Sequence, residues 1–274
     1  MHIATLGDIM LDVIVEAPDG LRIDDDTEAR IGLSAGGQAA NVATWAVALG
    51  ARATVIGPRG RTTTATFVDA QLATAGVDVV AIEVPSTGTV VSILAAGTRT
   101  LASDAGDQTW VDRIDAALLP DSVDWLHVSA YPLLRSADPA ALLACVEKAR
   151  LRGVSVSLDL SSAGLITAYG PDRFAVVLER LAPSLVFANA SEWAALRSAV
   201  REPAFDLVVK RGADGAEIVL DGRRTLHPAR AAEVVDLTGA GDALAAGYLV
   251  GGIDVALEAA ARCIAQRGAQ PHPN

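Results

Sequence analysis

The chain reads as an α/β protein with a doubly wound, mainly parallel sheet, helices on both faces, and a second, small β sheet. Three observations carry this reading. Short β-branched runs alternate with helical stretches over most of the length, the pattern of a sheet covered on both faces. The composition is 51% hydrophobic but only 4% aromatic, so the core comes from small aliphatic side chains that suit close helix and sheet layers. Two segments, Leu11–Ile31 and Val79–Leu101, interrupt the alternation with back-to-back strands and no helical period between them. They are expected to pair with each other in a separate sheet.

In chain order, strands are predicted near Ile3–Leu6, Ala53–Ile56, Trp125–Val128, Val154–Leu158, Leu185–Phe187, Leu207–Val209 and Glu217–Leu220. Helices are predicted near Gln38–Leu49, Thr64–Ala75, Pro139–Arg152, Arg173–Leu181, Ser191–Ala199, Ala240–Leu249 and Val255–Arg267. No internal repeat or linker divides the 274 residues, so residues 1–274 are expected to form one domain. Only the tail Arg267–Asn274 reads as loose.

The formal charge of −11 argues against a nucleic-acid partner, which needs clustered Lys and Arg on phosphates. Cys145 and Cys263 lie in apolar helical surroundings without metal or redox spacing and read as buried reduced thiols. No apolar run approaches the 18 or so residues of a membrane span, and Asp8 and Asp12 stand where a signal peptide would be apolar. A soluble cytoplasmic protein with no membrane partner is expected.

The most informative stretch is Val234–Leu249, VVDLTGAGDALAAGYL. Gly239, Ala240 and Gly241 lead into an apolar helix, so free backbone N–H groups and the positive end of the helix dipole should share one space, an anion site. Asp242 falls in the first helical turn beside it. A carboxylate there suits the removal of a proton from a hydroxyl attacking a phosphoryl group. Equally, Asp242 reads as a plain first-turn stabiliser and the glycines as a tight turn.

A second glycine stretch, LSAGGQAANVATWAVALG over Leu33–Gly50, places Gly36 and Gly37 before a helix. Paired glycines permit a ligand to approach the backbone closely, and Asn41 offers a donor and an acceptor to a sugar hydroxyl. The spacing is neither a dinucleotide fingerprint nor a P-loop. Further polar clusters fall near strand ends, where ligands of open α/β sheets bind: Gly7-Asp8 with Asp12, Asn189 to Glu192, and Lys210 to Gly215. Glu192 could hold Mg2+ through water and Lys210 could face nucleotide phosphates. The competing readings are helix caps, turn formers and a solvated strand end.

Together these residues resemble the PfkB carbohydrate kinase family, with its ribokinase-like fold, over nearly the whole chain. The resemblance rests on DLTGAGD at Asp236–Asp242, AGGQAAN with ALG at Ala35–Asn41 and Ala48–Gly50, Asn189 with Glu192, and Lys210 with Gly212 and Gly215. It implies ATP-dependent phosphorylation of a sugar or nucleoside hydroxyl. Asp242 would be the base, and the amides of Gly239, Ala240 and Gly241 the anion hole. Asp12, Gly36, Gly37 and Asn41 would hold the substrate. Asn189 and Glu192 would organise Mg2+ and the phosphates, and Lys210, Gly212 and Gly215 the nucleotide. Asp236 and Thr238 are candidates for a K+ site. The irregular segments, about 11–31 and 79–103, would form a β lid over the sugar and a homodimer surface.

This sequence departs from the family pattern in places. Gly57-Pro-Arg-Gly60 lacks the acidic pair of V-G-x-D-x-x-G, and Asp159-Leu-Ser-Ser162 lacks the Arg of D-x-N-x-R, which weighs against a phosphorylated substrate held by that Arg. Ala261 or Arg262 replaces an Asn at the adenine edge. The alternative function is a catalytically silent sugar- or nucleoside-binding regulator on the same fold. A dinucleotide-dependent oxidoreductase has no fingerprint here.

Overall fold

The computed structural model describes residues 1–96, 98–200 and 203–272. Gly97 of the 79–103 stretch and Pro273 and Asn274 of the tail lie outside the described residues. The chain opens with β1 (His2–Leu6), β2 (Met10–Ala17), β3 (Arg30–Gly36), α1 (Gln38–Ala48), β4 (Arg52–Gly60) and α2 (Thr63–Thr74). It continues with β5 (Asp78–Val84), β6 (Gly88–Ala95), β7 (Thr98–Asp104), β8 (Trp125–Ser129), α3 (Ala130–Arg135), α4 (Ala140–Leu151) and β9 (Ser155–Asp159). The last part holds α5 (Ala163–Tyr169), α6 (Pro171–Leu181), β10 (Leu185–Asn189), α7 (Ala190–Leu196), β11 (Asp206–Lys210), β12 (Ala216–Leu220), β13 (Arg223–His227) and α8 (Ala240–Ile264).

Nine strands form one sheet in the order β13-β12-β11-β10-β9-β8-β1-β4-β5. The run from β11 to β5 is parallel, and β12 and β13 close one edge as an antiparallel hairpin. Parallel strands buried on both faces need continuous apolar runs, and Val186, Phe187 and Ala188 of β10 are fully buried. One face packs around Leu133, Leu142 and Phe174, the other around Trp45, Leu72 and Ala245. The chain winds from β1 through β4 to β5, then resumes at β8 on the other side of β1 and proceeds through β9 to β11. Such a reversal leaves a crevice at the carboxyl ends of the strands flanking it. That rim is where Asp8, Ser129, Asp159, Asn189 and Lys210 emerge.

The second sheet has the order β3-β2-β6-β7. Its alternation sorts the side chains: Asp12, Ser34, Val90 and Ser103 lie across from one another on one face, and Val13, Leu33, Val91 and Ala102 on the other. The stretch from Val79 was expected to belong here, yet β5 pairs in parallel with β4 at the edge of the large sheet. The physical reason is the helix α2 before it, which makes β4-α2-β5 a crossover unit; only β6 and β7 cross to the small sheet.

Two short helices, α3 and α5, went unpredicted, because helices of 6 and 7 residues carry too few turns for a periodic signal. The predicted pair of C-terminal helices is present as α8, broken where Gly251 and Gly252 leave helical geometry. The halves fold back so closely that a Cβ on Gly247 would lie 2.6 Å from the Ala256 Cα. Ala240–Ile264 is the one helix among the described residues long and apolar enough to cross a membrane by composition. The break divides it into two pieces, each shorter than a bilayer requires.

Candidate active site

The loop before α8 turns through Gly239, whose φ of 78° is left-handed and whose missing side chain leaves room for Ala269, 2.6 Å from where a Cβ would stand. Among the described residues, the amides of Gly239, Gly241 and Asp242 donate to no backbone or side-chain acceptor, whereas Ala240 reaches the Leu237 carbonyl at 3.4 Å. The expected trio of free amides is thus corrected by one: Ala240 has a partner, and the amide of Asp242 itself is open.

Asp242 is half-buried and faces other charged groups. Its Oδ2 accepts from Asn41 Nδ2 at 2.8 Å. Burial pushes its carboxyl up to about 7, the Asn41 hydrogen bond pulls down, Asp159 pushes up, and Lys210 pulls down. A carboxylate balanced near neutrality is matched to proton abstraction. Asn41 was expected to meet a substrate hydroxyl. Here it spends one amide hydrogen on Asp242 and its carbonyl on Gln270 Nε2, at 2.6 Å.

Lys210 ends β11 with its ammonium 2.7 Å from Asp159 Oδ2, a pair whose side chains are 14% and 1% exposed. Burial opposes its charge, but Asp159, Glu192 and Asp242 together raise its pKa above the lysine norm. The ammonium also borders the loop before α8, because a Cβ on Gly241 would lie 3.2 Å from Lys210 Nζ. Asn189 caps α7, with Glu192 N–H donating to Asn189 Oδ1 at 2.9 Å, while the Asn189 amide and backbone N–H each donate to Glu192 at 2.7 Å. This capping box fulfils the structural reading of Asn189 and holds the buried Glu192 carboxylate within reach of the charges of Asp159 and Lys210. Burial and Asp159 raise the Glu192 pKa against the pull of Lys210. After Lys210 the chain turns with Arg211 N–H bonded to the Gly215 carbonyl at 2.8 Å. Gly212 has open space around it, whereas a Cβ on Gly215 would strike the His227 carbonyl at 2.0 Å.

The glycine pair is required by the protein itself. A Cβ on Gly36 would stand 2.2 Å from the Asp12 carboxylate, and one on Gly37 would stand 2.4 Å from the Asp8 carbonyl. Gly37 also has φ 91°, a region L side chains rarely adopt. Gly37→Ala is expected to cost at least about 1–3 kcal/mol, read as a melting temperature several degrees lower in a thermal unfolding scan. Asp12 is thereby held against the glycine turn, and burial lifts its carboxyl to about 6 against the pull of Arg99. Asp8 is buried, with one oxygen on Arg135 at 3.1 Å and the other without a partner. Burial outweighs Arg135 and raises this carboxyl to about 6.

Gln38, Ser129, Ser161, Arg135 and Gln270 were assigned no role from the motifs. Gln38 Oε1 accepts from Ser129 and Ser161 hydroxyls at 2.5 and 2.6 Å, and Ser161 sits at φ 66°, a strained setting for a non-glycine residue. Arg135 and Gln270 carried no signal of their own. Asp236, a K+ candidate, accepts from the Thr238 amide and hydroxyl and from the Gly268 amide. The carboxylate is engaged in closing the loop, and despite its burial these bonds lower its pKa. Among the described residues no cluster of three His, Cys, Asp or Glu side chains is set to hold a metal.

Residues 1–268 match the family described as pfkB family carbohydrate kinase. The chain belongs to this family. It is 32% identical to an ATP-dependent ribose-1-phosphate kinase of Halopiger xanaduensis, over 84% of this chain and 79% of that one. It is also 32% identical to the bifunctional protein HldE of Azotobacter vinelandii over 88% of this chain, spanning about half, 53%, of that protein. Among solved structures, adenosine kinase from Sinorhizobium meliloti superposes with a TM-score of 0.82 at 21% identity, covering 98% of this chain and 95% of that one. A sugar kinase from Pyrococcus horikoshii in complex with ATP gives 0.81 at 20% identity, with coverage of 98% and 95%. These two likenesses establish the ribokinase-like fold. Membership of the pfkB family makes the chain a phosphotransferase with an alcohol group as acceptor.

Proposed function

We propose that this pfkB member is an ATP-dependent kinase phosphorylating a hydroxyl of a small sugar or nucleoside, with Asp242 as base. One observation carries the reading: a carboxylate poised near pH 7 stands at a helix start whose Gly239, Gly241 and Asp242 amides are unpaired. The acceptor O–H gives its proton to Asp242, the new O–P bond forms as the bond from the γ-phosphorus to the bridging oxygen breaks, and ADP departs with that electron pair. The free amides and Lys210 stabilise the charge that develops on the transferring group. Asp12, with the turn at Gly36 and Gly37, orients the substrate.

Glu192 and its partner Asn189 fit a magnesium ion held through water. Each Glu192 oxygen accepts one bond and retains a lone pair for a bridging water, and magnesium takes most of its ligands from water and phosphate. When bound, the ion neutralises nucleotide charge. The loop of Gly212 and Gly215 adjoins Lys210 where the nucleotide would lie. A potassium ion by Asp236 and Thr238 is part of the family resemblance, and no step is assigned to it, since both Asp236 oxygens already accept hydrogen bonds.

The small sheet serves in this reading as a lid over the substrate. Its outer face carries Val13, Ile31, Leu33 and Val91, with Ile31 and Leu33 64% and 52% exposed, an apolar strip that supports pairing into a homodimer. The test is ADP release from MgATP across a panel of ribose, ribose 1-phosphate, fructose, adenosine and pseudouridine. Turnover of one or more members is expected. Sugar or nucleoside binding with no ADP formed across the panel would favour the silent regulator instead.

A further inference from the structure

We propose that Gln270, beyond the last helix, is a positioning residue that fixes which end of the Asn41 carboxamide faces Asp242. The inference rests on the reading of Asp242 as the base. A primary amide has a donor end and an acceptor end. The donor end toward a carboxyl favours the ionised group, and the acceptor end favours the protonated one. Asn41 is 5% exposed, so water cannot make up for a wrong orientation. The Gln270 Nε2 donor, 2.6 Å from Asn41 Oδ1, makes one choice: the carbonyl turns to Gln270 and the NH2 group turns to Asp242, 2.8 Å away.

Gln270 is itself held. Its backbone carbonyl accepts from Gln266 Nε2 at 2.6 Å, the Ala269 backbone carbonyl accepts from Trp45 Nε1 at 2.8 Å, and the Gly268 amide donates to Asp236 at 3.0 Å. The side chain is therefore presented from a fixed backbone, contrary to the loose tail expected from its sequence. The other titratable groups that face Asp242 are Asp12 of β2, Tyr131 of α3, Asp159 of β9, Lys210 of β11 and Cys263 in the far half of α8. None of them touches Gln270 through a hydrogen bond, so a change at 270 reaches Asp242 through Asn41.

The experiment is a carboxyl 13C NMR titration of aspartate-labelled full-length chain, with Asp242→Asn assigning the resonance. It requires no substrate. Gln270→Met keeps the shape and loses the donor, and should raise the Asp242 midpoint by about one pH unit. Gln270→Glu should raise it further, because its carboxylate accepts from the Asn41 NH2 group and turns the carbonyl toward Asp242. Being isosteric, it keeps the test open if Met is not tolerated. In an Asn41→Leu background, Gln270→Met should leave the midpoint unmoved, the signature of action through Asn41. A wild-type midpoint in Gln270→Met, or an equal shift in both backgrounds, overturns the proposal. Retained turnover in Asp242→Asn would instead remove the base assignment, and the titration order would stand or fall separately.

Discussion

Asp242→Asn is expected to lower phosphoryl transfer by about 10²–10⁴-fold while raising the melting temperature of the ligand-free chain at pH 8. The two effects share one cause. Burial holds the carboxyl at about 7 in the folded chain against 3.8 for an ordinary aspartate, so between those values the native state binds the extra proton. The stability this group contributes is present below about pH 3.8 and is lost as pH rises through about 7. Asparagine never bears the charge and still presents an oxygen to the Asn41 amide. The stabilisation should therefore be largest at pH 8 and fade towards pH 4, followed by thermal unfolding across that range. Full turnover in the variant, or a melting difference that does not change with pH, would contradict the assignment.

Lys210→Met is expected to be the most damaging single change outside the glycine turns. It removes the counter-charge of Asp159, which is 1% exposed, and of the neighbouring Glu192. Leaving a buried carboxylate unpaired costs about 3–5 kcal/mol, which corresponds to a fall in melting temperature on the order of 10 °C. The deficit should narrow in acid, because burial and Asp159 raise the Glu192 carboxyl and its protonation removes one of the uncompensated charges, and Asp159→Asn in the same chain should recover part of it. Equal deficits at pH 5 and pH 8 would mean that the ammonium matters for shape rather than charge. Nucleotide turnover should be lost in both variants.

Family and fold were legible in the sequence because both depend on local chemistry. The DLTGAGD loop names its own helix start, and short apolar runs such as Leu185–Phe187 announce buried parallel strands. The membership of β5 was misjudged because strand periodicity says which faces are apolar and nothing about which sheet supplies the neighbour. Residues of the site that bond across great distances in sequence were also hidden. Gln270 and Asn41 are 229 positions apart, and a glutamine in a polar tail carries no pattern to mark it. Asn189 could be read as a cap or as a site residue, and the capping box makes it the first without excluding the second. Gly36 and Gly37 were read as room for a ligand, whereas the space is filled by the chain's own Asp12 and Asp8.

The break at Gly251 and Gly252 has a temporal side. Because α8 doubles back there, the Gly268 amide reaches Asp236 and the Cys263 thiol reaches the Thr238 carbonyl, while Ala269 packs under Gly239. The loop before α8 thus borrows its shape from residues synthesised after it. A nascent chain still inside the ribosome past Thr238 can have its central sheet in place and yet no working centre. The loop can complete these contacts only when the final turn of helix and the segment behind it come home.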